Sequence, residues 1–387
     1  MSSKKKSAAK NSVLKPKWTN TPIAQPKEYI NSVAISGDGS TVVAGTFYFP
    51  YKAGAKHSAA DAGLITVGTF AWNAKGKLLW QDQFQATEGV YWVGLSRDGS
   101  WAASGGLSAP GQGFLYVYDA SSGQRSVTFN PKVRVNMVAF SADGSSLVAG
   151  ADNVYLFSRN GTNWAAPQQF SAAAGDSIIA VAISADGQWI VAGTYLGSVI
   201  LLRNQSGTFT AHASWTLPNG SIHWVAMSAD GSTFAAAASD ANVRCFTTAS
   251  FMTTPQPTWS APLTGCSGCR AVALSDDGSR LSAVGNAATA GKAFFFSNQR
   301  GSGTQLWAQP TKRNPNSTSI DSAGGYVTAA DGYPDQTPGD FYLFAASGSL
   351  VGSYPTSNMS WPMQISADAS AMAAGSDDSS VYYFSVS

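Results

Sequence analysis

Few residues of this chain could do chemistry. There are three histidines (His57, His212, His223), three cysteines (Cys245, Cys266, Cys269) and two glutamates (Glu28, Glu88). A metal site needs three or more convergent ligands. The single Cys266-Ser-Gly-Cys269 pair cannot complete a four-ligand zinc site and reads as a loop dithiol or a local disulfide. A Cys-x-x-Cys redox motif normally opens a helix in a βαβ unit, and helical periodicity is nowhere sustained. No nucleophile elbow and no glycine-rich phosphate loop before a helix is present. The sequence therefore nominates no catalytic residue, no cofactor and no metal ligand.

The acid that does recur is aspartate, in one phrase. It reads VAISGDG at 33–39, VGLSRDG at 93–99, VAFSADG at 138–144, VAISADG at 181–187, VAMSADG at 225–231 and VALSDDG at 272–278. Two degenerate copies follow, TSIDSAG at 318–324 and MQISADA at 363–369. The spacing is about 45 residues, with one longer step of 60 between Asp38 and Asp98. A fixed period of this size marks a repeat architecture.

Each repeat reads as four strands. The small, apolar first strand ends in Ser-x-Asp-Gly, a tight turn in which glycine accepts positive φ. A second small-residue run follows, such as SLVAG (146–150). The third is strongly β-prone, as in GFLYVYD (113–119) and KAFFFS (292–297). The fourth carries one aromatic: Trp80, Phe129, Trp164, Trp215, Trp259, Trp307 or Tyr354. Four-stranded units of this length imply an all-β fold, a single eight-bladed β-propeller over residues 15–387. Small inner strands fit converging blades near the axis. The eighth unit ends after three strands, and Trp18 stands where its missing aromatic belongs. Residues about 15–22 are thus expected to pair with the C-terminal strand and close the ring, removing exposed edges.

The phrase ISADGS…LVAG…D…VYLF resembles the WD40-like propeller superfamily across residues 18–387. The family's Trp-Asp ending survives only as Tyr118-Asp119, and its Gly-His pair is missing, so no partner carries over. AWNAKGKLLW (71–80) is similar to the blade-docking pattern of quinoprotein-like propellers, with VYDASSGQ (117–124) a weaker echo. That resemblance implies blade packing and eight blades. It does not imply the quinone cofactor, because the acids and adjacent cysteines of that site are lacking.

The first-to-second turns, nearly invariant, make one smooth, structural face whose aspartates are turn formers. The opposite face holds the irregular loops 48–63, 106–113, 286–292 and 331–340, and variable loops on a rigid scaffold are where function concentrates. Two residues before each first strand lies a ring of equivalent positions: Asn31, Tyr91, Asn136, Ile179, His223, Arg270, Asn316 and Trp361, adjoined by Trp92, Met137 and Trp224. Aromatics, amides and arginine suit a binding surface. The expected function is a non-catalytic scaffold that recognises a protein or small ligand at this rim. The alternative is an enzyme at the channel mouth, either a quinone-linked oxidoreductase or a glycan-active hydrolase or lyase. A lectin is disfavoured because the rim differs from blade to blade.

Composition bounds the partners. The 387 residues are 44% hydrophobic and 12% charged, with a net charge of +2. Lys4, Lys5, Lys6, Lys10, Lys15 and Lys17 leave 18 bases against 22 acids in the remainder. Residues 1–14 thus read as a flexible, solubilising basic tail, able at most to touch nucleic acid weakly. The body lacks the electrostatic base for nucleic-acid binding. No apolar stretch approaches a membrane span. No signal peptide follows the lysines, so a cytoplasmic location is expected, with export after leader removal as the alternative.

Overall fold

The computed structural model describes residues 13–23, 29–48, 64–299, 301–332 and 338–386. Within them the chain is built from antiparallel strands, with one four-residue helix at Thr248–Phe251. The first strands of successive repeats are Tyr29–Ile35, Gly89–Leu95, Met137–Phe140, Ile178–Ile183, Ile222–Met227, Gly268–Leu274, Pro315–Ile320 and Ser360–Ile365. Each heads an antiparallel series of strands, and a single bridge, Phe47↔Gly89, joins the first two series into one sheet. Each first strand packs against the next, and Ser360–Ile365 packs against Tyr29–Ile35. This face-to-face array of four-stranded sheets is a β-propeller.

Burial follows from that geometry. Second strands hold small residues with no exposure, such as Ala235–Ala238, while third strands carry Phe294, Phe295 and Phe296 fully buried. Both faces of a sheet are covered by its neighbours, so these runs are apolar without alternation.

The Ser-x-Asp-Gly turn is a self-contained device. Ser36 Oγ donates to Asp38 Oδ1 at 2.6 Å, which also accepts from the Ser40 N–H at 2.9 Å. The Thr41 N–H in turn donates to Ser36 Oγ at 3.0 Å. The same serine-to-aspartate bond recurs at Ser96, Ser141, Ser184, Ser228, Ser275 and Ser366. In the seventh repeat Asp321 replaces the serine and caps Ala323 and Tyr326 N–H itself.

These turns are also linked to one another. Gly37 N–H donates to Arg97 O, Asp98 to Ala142 O, Ala142 to Ala185 O and Ala185 to Ala229 O. The series continues from Ala229 to Asp276 O, Asp276 to Ser322 O and Ser322 to Ala367 O, and Asp368 N–H returns to Gly37 O at 3.1 Å.

Fourth-strand tryptophans dock on the following repeat. Trp80 Nε1 donates to Ala120 O at 2.7 Å and Trp307 Nε1 to Ala346 O at 3.0 Å. Their rings lie on Gly123 and Gly348, where an added Cβ would stand 2.6 and 2.9 Å from the indole. Glycine is needed there both for that close approach and for positive φ. Trp18 makes the same contacts, with its Nε1 on Ala74 O at 3.1 Å and its ring on Gly76. Its strand, Trp18–Asn20, pairs antiparallel with Val381–Ser385 in the register Trp18↔Tyr383. Leu14, assigned from the sequence to the tail, donates its N–H to Ser353 O and packs against the hydrophobic cluster that contains Leu343 and Phe384.

One element departs from expectation. Trp164 lies in a two-residue strand, Asn163–Trp164, folded back on Arg159–Asn160. The strand that pairs alongside is Gln168–Ser171. Pro167 has no N–H to continue the ladder, so the fourth strand breaks before it.

Candidate functional site

The ring positions owe their placement to a backbone irregularity. In the first strands the register slips between Ile30 and Ser32, Val90 and Trp92, Ile178 and Ala180, and Ile222 and Trp224. It slips again between Cys269 and Ala271, Pro315 and Ser317, and Ser360 and Met363. The extra residue is Asn31, Tyr91, Ile179, His223, Arg270 or Asn316, and at the last site Trp361 with Pro362. A bulge leaves one residue outside the ladder and re-aims its side chain. Repeated around the axis, it turns these side chains into one cavity.

That cavity has a volume of about 170 Å³. Asn31, Tyr91, Trp92, Asn136, Ile179, His223, Trp224, Arg270, Asn316 and Trp361 all line it, with Met137 and Arg134. Every site residue expected from the sequence is therefore gathered there. Arg134 was missed. It precedes the strand Met137–Phe140 in irregular backbone, and nothing in the repeat pattern marks it.

Some of these groups are already engaged. Asn31 Nδ2 donates to Tyr91 O at 2.7 Å, and Asn136 Nδ2 to Ile178 O at 2.8 Å. His223 Nδ1 lies 2.8 Å from Cys269 O, and its Nε2 lies 3.1 Å from Ser221 Oγ. These are staples between neighbouring repeats, which the sequence could not separate from recognition groups. Burial holds the His223 imidazole below its ordinary pKa; the neighbouring Arg270 adds to this and the Cys269 carbonyl opposes it. It is a neutral donor–acceptor near pH 7. Asn316 Nδ2 donates to Gly332 O.

Arg134 stacks over the Tyr91 ring at 4.1 Å, donates to Asn136 Oδ1 and pairs with Glu88 at 3.2 Å. Arg270 is exposed and has no hydrogen-bond or ion-pair partner among the described residues. Trp92 and Trp224 meet edge to face, with ring centroids 5.0 Å apart. Both also line a second cavity of about 220 Å³ among the inner strands. The pair is thus the floor of the outer cavity and the roof of the inner one. The arrangement offers a cationic, aromatic-walled cup with spare donors on Arg270.

The other nominated groups stand apart. His212 lies in an outer strand beside Phe170, ring centroids 5.0 Å apart. His57 and the insertion at 49–63 lie outside the described residues, as do the tail at 1–12 and residues 333–337 of the seventh-repeat loop. All three cysteines are free thiols. Cys269 belongs to a strand and not to a loop, and burial raises its pKa and that of Cys266. Burial pushes Cys245 up to about 12. Cys245 and Cys269, buried in apolar surroundings, have the character of structural thiols. Among the described residues no group of three His, Cys, Asp or Glu side chains could hold a metal ion. No helix among them is long and apolar enough to cross a membrane.

The arrangement of the sheets defines the fold class, a β-propeller. No family model and no curated protein matches the chain. Among solved structures it is similar to Sqt1 of Chaetomium thermophilum, determined bound to the N-terminus of the ribosomal protein L10. The TM-score is 0.70 at 14% identity, covering 93% of this chain and 97% of that one. At that identity the likeness is one of fold.

Proposed function

We propose that the chain is a single eight-bladed propeller, closed by strand Trp18–Asn20 in the last blade, and that it works as a non-catalytic binding scaffold. The cup on the irregular face receives an anchoring group from a protein segment or a small ligand. Eight-fold closure is supported by the belt of turn-to-turn hydrogen bonds returning to Gly37 and by the way Trp18 repeats the docking of Trp80 and Trp307.

The observation that carries the binding role is the convergence of the bulged residues on one cup with an unpartnered Arg270. At about 170 Å³ the cup is smaller than the ~300–1,000 Å³ of sites for drug-sized ligands and cofactors. It suits a single side chain inserted from a partner, in the manner of an interface anchor. That the structurally similar Sqt1 was captured with a protein N-terminus supports a peptide as the ligand.

Arg270→Ala and Trp361→Ala test it, since both positions are at least partly exposed and the fold does not need them. Screening a displayed peptide library against the wild type should yield binders that each variant holds at least about tenfold more weakly, one hot spot being worth more than ~1 kcal/mol. Binders indifferent to both substitutions place recognition elsewhere.

A further inference from the structure

The break in the third repeat's fourth strand leaves a docking slot without its tryptophan. Trp18, Trp80 and Trp307 each dock on the following repeat with the indole N–H on a backbone carbonyl and the ring against a turn glycine. Trp259 uses a variant: its Nε1 donates to Asn298 Oδ1 at 2.9 Å, and its ring lies against Gly303. Asn298 is held for this by donating Nδ2 to Gly278 O at 2.8 Å.

The fourth repeat carries the same acceptor. Asn204, 7% exposed, donates Nδ2 to Gly187 O at 2.7 Å. Gly187 and Gly278 are the equivalent glycines of their Ser-x-Asp-Gly turns. Among the described residues the Asn204 Oδ1 accepts only the Gly207 N–H, at 3.0 Å, and a carboxamide oxygen has a second lone pair. No tryptophan reaches it. Trp164, the aromatic due there, turns the other way and packs edge to face on Trp101 at 5.3 Å. Its Nε1 is buried without a partner, as is Ser158 Oγ. Asn204, Gly207, Ser158 and Trp164 all line a groove of about 800 Å³.

We propose that this groove between the third and fourth repeats is a binding site for a tryptophan side chain presented by a partner protein. The indole N–H goes to Asn204 Oδ1, as that of Trp259 goes to Asn298 Oδ1; the ring lies in the groove beside the Gly207 turn, since Phe209 stands in the fourth repeat where Gly303 stands under Trp259. The groove exceeds one indole in volume, and the exposed amides of Asn160, Gln188 and Gln205 on its walls can pair with the backbone of an extended segment. The site is separate from the axial cup and does not depend on the function proposed for it.

A capped five-residue peptide with a central tryptophan between glycines and serines is the probe, titrated by calorimetry. Saturable binding is expected, about tenfold weaker when the indole nitrogen is methylated, the size of one lost hydrogen bond. Asn204→Leu should remove binding. Gln188→Trp, an exposed change that fills the groove, should compete with the peptide without unfolding the chain, while Trp361→Ala in the cup should leave it unchanged. The proposal is overturned by absence of saturation, by equal affinity for the methylated peptide, or by loss with Trp361→Ala. It is likewise overturned if free indole binds as tightly as the peptide, which makes the groove a small-molecule site.

Discussion

Trp80 shows how much one side chain contributes to the interface between repeats. It is 7% exposed, stacks on Tyr118 at 5.1 Å and donates to Ala120 O. Trp80→Ala should destabilise by about 3–5 kcal/mol in chemical denaturation. Trp80→Phe, which removes the hydrogen bond together with part of the packed ring, should cost more than the ~1 kcal/mol of that bond alone and less than Trp80→Ala. Ala369 is the converse case. It stands where other repeats have the turn glycine, at φ 57°, a conformation costing an L-residue about 1–2 kcal/mol. Ala369→Gly should raise the melting temperature, and an unchanged or lowered one would show that the turn carries no strain. The turn aspartates set a pH dependence. Serine hydroxyl bonds hold the Asp38 and Asp277 carboxyls below the usual range. In Asp98, Asp143, Asp230 and Asp368 burial is the largest single influence and pulls upward, yet the summed hydrogen bonds still leave them low. A carboxylate with a depressed folded pKa stabilises fully above its unfolded pKa near 3.9 and loses that contribution as pH falls through the folded value. Denaturation midpoints should therefore drop below about pH 4, on top of a shallower fall below about pH 6.5 from the depressed His223; substituting Asn at Asp38 and Asp277 should flatten only the acid drop.

At the scale of elements, the strand Trp18–Asn20 is the clearest case of legible sequence. Residues about 15–22 were expected beside the C-terminal strand, and Trp18 pairs there with Tyr383 and repeats the docking of Trp80 and Trp307. Deleting residues 13–23 should lower the melting temperature by several degrees and promote association through the bared Val381–Ser385 edge, measurable by scanning calorimetry and light scattering. The bulges were not legible. A bulge is set by how an extra residue fits between two strands at the rim, and the ring residues that fill it range from asparagine to tyrosine, isoleucine, histidine and arginine. Spacing alone brought Asn31, Tyr91 and Arg270 onto one list; the bulge is what turns them inward. Trp164 misled for a related reason. Its spacing matched the other fourth-strand aromatics, but Pro167 three residues later broke the ladder that would have aimed it forward.

Across the whole molecule the axis is obstructed twice. Trp92 and Trp224 close it toward the irregular face. At the other mouth Arg97 of the second repeat makes two hydrogen bonds to Asp276 of the sixth, at 2.7 and 2.6 Å, and a third to Ser322. The ion pair thus reaches across the opening, whose cavity of about 310 Å³ its residues line. With side chains 42% and 35% exposed, the pair is worth no more than about 1 kcal/mol and weakens with salt. A double-mutant cycle of Arg97→Met and Asp276→Asn should return a coupling of that size at low ionic strength and less at 1 M salt. A coupling of several kcal/mol would mean that the mouth is far drier than its exposure indicates. The sequence by itself determined the repeat, its four strands, its turns and the set of positions facing the axis, because these rest on local periodicity and turn chemistry written within some 45 residues. Tertiary structure alone decided which amides are consumed as staples, that two tryptophans from repeats far apart in the chain meet, and that Trp164 turns away from the repeat that follows it. Each of those outcomes depends on where one repeat's backbone presents its groups to another, and no short stretch of either repeat records that.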